Sequence, residues 1–339
     1  MKQNNKIIFY FFGLLLLFNG GFMLLASLLS VIYNDGVTQP LVLSGVSTLC
    51  VGFLLMILSK NHTKEMSKRQ GYMVVTFGWI VMALSGTLPY LFTGTITNFT
   101  NAFFETISGY TTTGATILND IEVLPKGILF WRSLTHWIGG MGIIVLAIAI
   151  LPLLGIGGMQ LFAAEAPGPG TDKLHPRITD TAKRLWLIYF GYTAAETLFL
   201  KLAGMSFFDA LNHSMSTLST GGFSTKNASL AHWNDTPLIQ YIVVLFMFLA
   251  GTNFVLSYFG FKANFSKIYK DEEFKLYGKF VIVFTVITAL VMYYNSVFST
   301  ASSFNHPLVF GEIEACLRHA LFQVVAIVTT TGFVSADFL

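Results

Sequence analysis

YTTTGAT, at residues 110–116, is the first of three related stretches that decide how this chain folds; LSTGGFS at 218–224 and VTTTGFV at 328–334 are the others. Each places two hydroxyl residues directly before a glycine, after a short and partly apolar segment. Gly114, Gly221 and Gly332 lie 107 and 111 residues apart, so a unit of nearly constant size occurs three times. A short helix followed by a glycine-bearing strand can turn backbone carbonyls toward a pore axis, so the pattern predicts three ion-filter loops.

The composition places the chain in a membrane. Of its 339 residues, 54% are hydrophobic and 11% are charged, and the mean hydropathy is +0.65. Several apolar runs exceed about 18 residues, the length that crosses the hydrocarbon core as a helix. Cys50 and Cys316 lie in apolar surroundings without CxxC or Cys/His spacing, so neither a disulfide framework nor a zinc site is indicated. We therefore predict an all-α polytopic membrane protein whose partner is the lipid bilayer and not nucleic acid.

The order of the apolar runs divides the chain into four predicted segments. Residues 1–70 form a hairpin of two spans, and residues 71–182 form a first pore repeat of span, re-entrant filter segment and returning span. Residues 183–274 repeat that order. Residues 275–339 hold a third repeat that stops after its filter stretch, so we expect the chain to be C-terminally truncated.

The filter segments are too short and too polar to cross the bilayer, so each should enter and leave by the same side. The first apolar run is too long for a signal-peptide core, so we expect it to remain as a span. In chain order, the predicted spans and re-entrant segments are residues 7–32, 41–58, 72–92, 98–117 (re-entrant), 128–154, 185–203, 207–225 (re-entrant), 238–261, 280–298 and 309–334 (re-entrant).

Basic residues predict the orientation. Fifteen of the 20 Lys and Arg residues lie at the N-terminus, in the loop near residue 65, and in the loops after the first and second repeats. The positive-inside rule makes that face, and the N-terminus, cytoplasmic. The opposite face carries the filter mouths and an excess of acidic residues, which would raise the local cation concentration. We therefore expect a multi-pass protein of the cell inner (plasma) membrane.

The filter stretches suit a dehydrated cation. A pore that strips water from an ion must offer several oxygen ligands at once, and backbone carbonyls do so without placing a bare carboxylate in the bilayer. Glycine takes the dihedral angles this requires without a steric penalty, while nearby hydroxyls add oxygens or pin the strand. The predicted filter residues are Thr112, Thr113, Gly114, Ser219, Thr220, Gly221, Thr330, Thr331 and Gly332.

Several charged residues need an interpretation. Arg132, near the outer end of a span, is expected to snorkel to the interface. Arg318 follows Glu314 by four residues, which predicts a salt bridge within one helix. For Glu196, inside an apolar span, a functional role and a satisfied helix–helix hydrogen bond are equally supported. Acidic residues are expected at the starts of the three filter helices, where they suit the helix dipole: Glu105, Asp209 and Glu312.

Longer motifs resemble a known family. WRSLTHWIGGMG at residues 131–142 resembles the Trk/Ktr/HKT superfamily of potassium transporters. The resemblance covers nearly all of the chain, and the additional N-terminal hairpin favours the Trk type over the Ktr type. Four more motifs are similar to the Trk type: FDALNH (208–213), RHALFQ (318–323), GGMQLF (157–162) and EAPGP (165–169).

The resemblance implies a four-repeat, pseudo-fourfold pore with the potassium ion as its transported ligand. It also implies a homodimer and a cytosolic nucleotide-binding regulatory subunit of the Trk type. By analogy with the family, the filter glycines fall on Gly114, Gly221 and Gly332. Some plant relatives carry serine at the first of these and pass sodium, so Gly114 favours potassium. The fourth filter and the gating loop expected for the family are absent from the sequence.

Two other functions stay open beside potassium uptake driven by the membrane potential. The first is an alternating-access cation symporter with discontinuous helices; inverted repeats would support it, whereas the three re-entrant segments here enter from one side in parallel order. The second is a membrane-embedded enzyme, which would need a nucleophile, a metal or an acid–base pair at plausible spacing. Because the sequence shows no such constellation, we predict no catalytic residues and no covalent or bound cofactor.

Overall fold

Helices make up the regular secondary structure throughout the described part of the chain. The computed structural model describes residues 6–60, 67–140, 142, 178–298 and 312–336. The predicted all-α class is confirmed, and the described residues also include a short 3-10 helix, Ser229–Trp233. The helices are α1 (Lys6–Tyr33), α2 (Thr38–Leu58), α3 (Lys68–Gly86), α4 (Leu88–Thr93), α5 (Phe99–Tyr110), α6 (Lys126–Gly140), α7 (Ile178–Leu202), α8 (Phe207–Leu218), α9 (Pro237–Ala250), α10 (Phe254–Phe261), α11 (Phe265–Lys270), α12 (Glu272–Phe298) and α13 (Ile313–Val328).

The chain divides into two compact units, residues 1–187 and 188–339. The first unit contains α1 to α6 and the first filter stretch. The second contains most of α7, then α8 to α13, with the second and third filter stretches. The unit boundary lies close to the predicted start of the second repeat at residue 183, while the four predicted segments themselves stay a prediction.

The described helices include four that are long and apolar enough to cross a membrane: Lys6–Tyr33, Thr38–Leu58, Arg69–Thr93 and Glu272–Val297. Their outer surfaces are apolar as well. A soluble protein would bury such side chains, whereas a bilayer solvates them. Examples of large exposed apolar side chains on these helices are Leu28, Ile32, Phe53, Leu58 and Leu290.

Two predicted spans are interrupted. In the span predicted at 72–92, α3 ends before Thr87 and α4 begins after it, because Pro89 has no N–H to donate to the preceding turn. The span predicted at 238–261 consists of α9 and α10, which are separated by residues 251–253. Glycine, threonine and asparagine at these three positions are weak helix formers, so the helix ends there at little cost.

The hairpin of α1 and α2 packs through small residues. A Cβ on Gly13 would lie 2.7 Å from the carbonyl oxygen of Gly52, and one on Gly20 would lie 2.9 Å from that of Gly45. Close backbone approach is how membrane helices gain contact area where the hydrophobic effect between them is absent. The same α1 also packs on α3 and α6, so the hairpin forms part of the first unit's core.

In the second unit, the core lies between α9, α13 and the third filter stretch. Phe333, one residue after the filter glycine, is fully buried with Phe322 of α13 and Val243 of α9. Phe248 of α9 stacks on Tyr277 of α12 with ring centroids 4.7 Å apart. The core of this unit therefore continues directly into the third filter loop.

Candidate ion-filter loops

The three filter stretches follow the C-terminal ends of three short helices, with the same backbone hydrogen bonds at each helix end. α5, α8 and α13 end at Tyr110, Leu218 and Val328. In each loop, two successive N–H groups past the helix end donate to carbonyls three and five residues back, which is the Schellman arrangement. The longer-range bonds run from Thr113 to Ser108 (2.9 Å), from Gly221 to Ser216 (2.9 Å) and from Thr331 to Ala326 (2.8 Å). The loops therefore share one backbone structure.

Each loop holds a threonine in the left-handed conformation. Thr112, Thr220 and Thr330 have φ angles of 51°, 52° and 59°. A β-branched side chain is a steric outlier there, and the position is usually occupied by glycine. Such strain costs on the order of 1–3 kcal/mol per residue and persists only where the surroundings hold it. Its occurrence at three equivalent positions marks these loops as functional candidates.

The glycine two residues further on defines the register of the loops. Gly114, Gly222 and Gly332 have φ angles of 76°, 80° and 76°. Gly221, which the sequence predicted to be the second filter glycine, lies one position earlier, where the other two loops carry threonine. The predicted pairing of Gly221 with the other two glycines is therefore wrong by one residue, because the second stretch contains two adjacent glycines.

The second and third loops touch within the second unit. A Cβ on Gly222 would lie 2.0 Å from the carbonyl oxygen of Thr331, so a glycine is required for this approach. The N–H of Ala231 donates to the carbonyl of Val334 (3.2 Å), whose own N–H donates to Oγ of Ser229 (3.3 Å). These two filter loops are thus adjacent, as loops around a shared axis must be.

Hydroxyl groups of the loops have two different environments. The Oγ1 atoms of Thr111 and Thr113 are 2.8 Å apart, and those of Thr329 and Thr331 are 2.7 Å apart. Ser219 donates to a carbonyl in the last turn of α8 at 3.0 Å. These hydroxyls pin the backbone. Those of the three left-handed threonines make no hydrogen bond with any residue that the structure describes, which leaves their oxygens available as ligands.

A buried ion pair holds the strand beyond the first filter. Glu105 of α5 accepts hydrogen bonds from Oγ1 of Thr116 (2.9 Å), the N–H of Ile117 (3.1 Å) and Nε of Arg132 on α6 (2.7 Å). The side chain of Arg132 is 2% exposed and that of Glu105 is fully buried. The expectation that Arg132 snorkels is therefore wrong, because its charge is paired inside the protein.

The other two filter helices use histidine for the same purpose. Nε2 of His213 lies 2.9 Å from Oγ of Ser224, and Nδ1 of His319 lies 2.9 Å from Oγ of Ser335. Both histidines are fully buried. Each filter helix thus carries a polar side chain that forms a hydrogen bond with the extended segment that follows its filter loop. Sequence reasoning missed this set because Glu105 and His213 share a position but differ in kind, while His213 and His319 share the kind but lie five and nine residues before their helix ends.

The acidic residues of the filter helices are placed differently from one another. Asp209 lies in the first turn of α8, where it also accepts from Oγ1 of Thr225 at 2.7 Å. Glu312 occupies the N-cap of α13. Both positions suit the positive end of a helix dipole. Glu105 lies in the middle of α5, so its predicted role at the helix start is wrong.

The predicted salt bridge in the third filter helix is confirmed. Nε of Arg318 lies 2.9 Å from Oε1 of Glu314, one turn earlier. Arg318 also donates to Gln240 of α9, and the hydroxyl of Tyr241 donates to Glu314 at 2.9 Å. These bonds tie α13 to α9 near the N-terminal ends of both helices.

Glu196 of α7 is fully buried beside Thr217 of α8. Thr217 donates its hydroxyl to the carbonyl of His213 (2.8 Å), and neither carboxylate oxygen of Glu196 has a hydrogen-bond partner of good geometry among the described residues. The described contacts therefore do not support the expectation of a satisfied helix–helix hydrogen bond.

Two of the sequence motifs that resemble the Trk type, at residues 157–162 and 165–169, lie outside the described residues.

Comparison with known proteins agrees with these features. A family model described as TrkH, cation transport protein, matches residues 38–339. The Trk system potassium uptake protein TrkH of Salmonella typhimurium is 41% identical over 324 residues, which is 95% of this chain and 64% of that protein. The protein of the same name from Escherichia coli K12 is 40% identical over the same shares. The chain thus spans somewhat less than two thirds of these curated relatives.

A solved structure shows the same fold. The crystal structure of the potassium transporter TrkH from Vibrio parahaemolyticus matches with a TM-score of 0.81 and 36% identity, over 98% of this chain and 66% of that one. The Trk system potassium uptake protein TrkG of Escherichia coli K12 is 31% identical over 93% of this chain and 63% of its own length. These relatives are named as transport proteins, in agreement with the expectation that the chain is not an enzyme.

Proposed function

The chain belongs to the TrkH family of cation transport proteins, and from that premise we propose that it supplies three filter loops of a potassium-uptake pore. In this proposal, potassium is the transported ligand and the membrane potential drives it inward. A monovalent cation gains roughly 2.3 kcal/mol per 100 mV on crossing. Support for the substrate comes from the names of the relatives, which are Trk system potassium uptake proteins.

The observation that carries the proposal is the common backbone structure of the three loops. Threonines and glycines with positive φ lie at matched positions of the three loops, and we propose that these conformations turn the intervening carbonyls toward one side of each loop. The close approach of Gly222 to Thr331 supports this arrangement, because it brings the second and third loops into contact. A ring of carbonyls from adjacent strands replaces the hydration shell of a cation. We propose that Gly222, in place of Gly221, is the filter glycine of the second loop. The other predicted filter residues are kept in the proposal.

The finer features of the system are part of the same proposal. Loops rich in Lys and Arg support a cytoplasmic N-terminus and insertion in the inner (plasma) membrane. The Trk system names of the relatives support assembly with further Trk components. We propose a homodimer and a cytosolic nucleotide-binding subunit as those partners.

Complementation tests the proposal directly. The complete gene product is expressed in cells that lack potassium uptake, and growth is measured as external potassium is lowered. We expect growth at potassium concentrations that do not support the parent cells, together with uptake of radioactive rubidium that falls when the membrane is depolarised. Rubidium uptake equal to that of cells with an empty vector would refute potassium transport.

An alternating-access symporter is the second candidate, and the interruption at residues 251–253 is the observation that favours it. Discontinuous helices form ion sites in such carriers. Electrical recording of the purified protein in bilayers separates the two mechanisms. Unitary currents of many ions per opening would support the pore, whereas saturable exchange without such currents would support the carrier.

A further inference from the structure

We infer that the N-terminal hairpin positions the first filter loop, through a buried hydrogen bond from Tyr110 to Asn19. The inference rests on the proposed function, since it concerns the filter of the same pore. Asn19 lies on α1, and Tyr110 is the last residue of α5, two residues before the predicted filter residue Thr112. The sequence pattern of the filter loops does not involve the hairpin of α1 and α2. A contribution of the hairpin to the filter must therefore come from contacts between the two, such as this hydrogen bond.

Asn19 uses both ends of its amide in this contact. Its Oδ1 accepts from the hydroxyl of Tyr110 at 2.5 Å, while its Nδ2 donates to Oγ of Ser85 at 2.7 Å and to the carbonyl of Met82 at 3.3 Å. Asn19 and Tyr110 are both fully buried. Because the amide is held by α3 on one side, it cannot turn away from Tyr110 without leaving a buried polar group unpaired.

Tyr110 is confined at two other points. A Cβ on Gly139 of α6 would lie 2.1 Å from the carbonyl oxygen of Tyr110, so the α6 backbone presses on the tyrosine backbone. A Cβ on Gly86 of α3 would lie 2.9 Å from Cε2 of the tyrosine ring. Contacts with α6, α3 and α1 thus hold the backbone, ring and hydroxyl of Tyr110. Its position determines where the strained Thr112 begins the filter.

The other two filter helices lack this anchor. The residues equivalent to Tyr110 are Leu218 and Val328, which have no polar group. In the second unit, the two filter loops instead brace each other through Gly222 and Thr331. The first unit contains a single filter loop, and the tyrosine hydroxyl gives it a fixed point outside the repeat. Asn19 is therefore a positioning residue for cation selectivity and not a ligand.

The test uses the complete protein in cells that lack potassium uptake, with Tyr110→Phe and Asn19→Leu as variants. Both remove the hydrogen bond and keep the approximate side-chain volume. Ser27→Ala is the matched control, since Ser27 is buried on the same helix and its hydroxyl donates to the carbonyl of Leu24 in that helix. The measured quantity is the ratio of rubidium to sodium uptake, normalised to the amount of protein in the membrane.

We expect the ratio to fall about threefold or more in both variants and to stay at the wild-type value in the control. The double variant should fall no further than the more affected single variant, because the two residues act as one link. Unchanged ratios in Tyr110→Phe and Asn19→Leu would overturn the inference. If Asn19→Leu does not reach the membrane, the comparison of Tyr110→Phe with Ser27→Ala still tests whether the hydrogen bond affects the uptake ratio.

A second readout separates this inference from the proposed function. Potassium and sodium are compared for their ability to raise the melting temperature of the purified protein. We expect a smaller potassium advantage in Tyr110→Phe than in Ser27→Ala or the wild type. Absence of uptake by the wild type would refute the proposed function, while a reduced potassium advantage would still support the anchor. An equal potassium advantage in all variants would overturn the anchor, whatever the uptake shows.

Discussion

At the scale of single residues, the left-handed threonines are the most informative feature of the loops. Thr112, Thr220 and Thr330 occupy a helix-end position where glycine is more stable. Threonine at that position costs stability, yet it supplies a hydroxyl beside the filter carbonyls. A strained conformation that recurs three times in one chain supports the proposed role of these loops in ion selection.

Replacement of one such threonine by glycine should separate stability from function. We expect Thr220→Gly to raise the free energy of unfolding by about 1 kcal/mol, since the left-handed strain is relieved, while the ratio of rubidium to sodium uptake falls. Ala263→Gly is the control, because Ala263 has a φ of 52° in the loop between α10 and α11. It should gain stability and keep its selectivity. A Thr220→Gly protein with unchanged selectivity would argue against a ligand role for the hydroxyl.

The contact between the second and third loops makes a sharper prediction. Gly222→Ala places a methyl group 2.0 Å from the carbonyl oxygen of Thr331, so one of the two strands must move. We expect potassium uptake to fall by an order of magnitude or more, on the scale of a lost ligand position. Gly278→Ala on α12 is the control, because a Cβ there meets no atom within 4 Å.

Uptake assays normalised to membrane protein check both substitutions. Normal uptake by Gly222→Ala would contradict the assigned register. The sequence contained the signal for this register, since aligning Phe223 with Phe333 pairs Gly222 with Gly332. The prediction instead matched the two hydroxyl residues that precede the first glycine of each stretch, which selected Gly221.

At the scale of elements, the pair of Glu105 and Arg132 joins the first filter helix to α6. Both side chains lie out of contact with water, so removal of one partner leaves an uncompensated charge. Breaking a buried pair in this way costs about 3–5 kcal/mol. The two residues lie far apart along the sequence, and periodicity carries no information about which buried charges meet. Sequence reasoning therefore placed Arg132 at the membrane interface.

We expect Arg132→Met to lower the stability of the protein by about that amount and to reduce the folded protein in the membrane severalfold. Glu314→Gln is the matched control. The side chain of Glu314 is 54% exposed in its pair with Arg318, and exposed pairs contribute about 0–1 kcal/mol. Thermal unfolding of the two purified variants in detergent gives the comparison. Equal melting temperatures of the two variants would show that the buried pair stabilises the protein no more than the exposed pair does.

At the scale of the whole molecule, hydropathy predicted the positions of the long helices well. Residues 7–32 and 41–58 correspond to α1 and α2 within three residues at each end, because their apolar runs are continuous. The interruptions at Thr87 and residues 251–253 were not predicted, since average hydropathy does not register a single proline or glycine. The register of the loops could be predicted from the aligned phenylalanines once the backbone angles showed which glycines correspond. The anchor on Asn19 depends on packing between distant helices, which leaves no trace in local composition.

The predicted orientation of the chain can be tested by labelling. In a background with Cys50→Ser and Cys316→Ser, we place single cysteines at the exposed positions Asp120 and Ala263. We expect a membrane-impermeant maleimide to label Asp120→Cys in intact cells, because this loop lies on the face that carries few basic residues. Ala263→Cys should react only after permeabilisation. The reverse pattern would place the N-terminus outside the cell.

The contact between Gly222 and Thr331 also has a consequence for biogenesis. A strained loop keeps its shape only while neighbouring atoms hold it, and the neighbour of the second loop, Thr331, belongs to the third loop, which is synthesised later. We therefore expect the second loop to reach its final shape only after α13 and the third loop have been translated. In the proposed pore, these two loops would therefore be completed late in co-translational insertion.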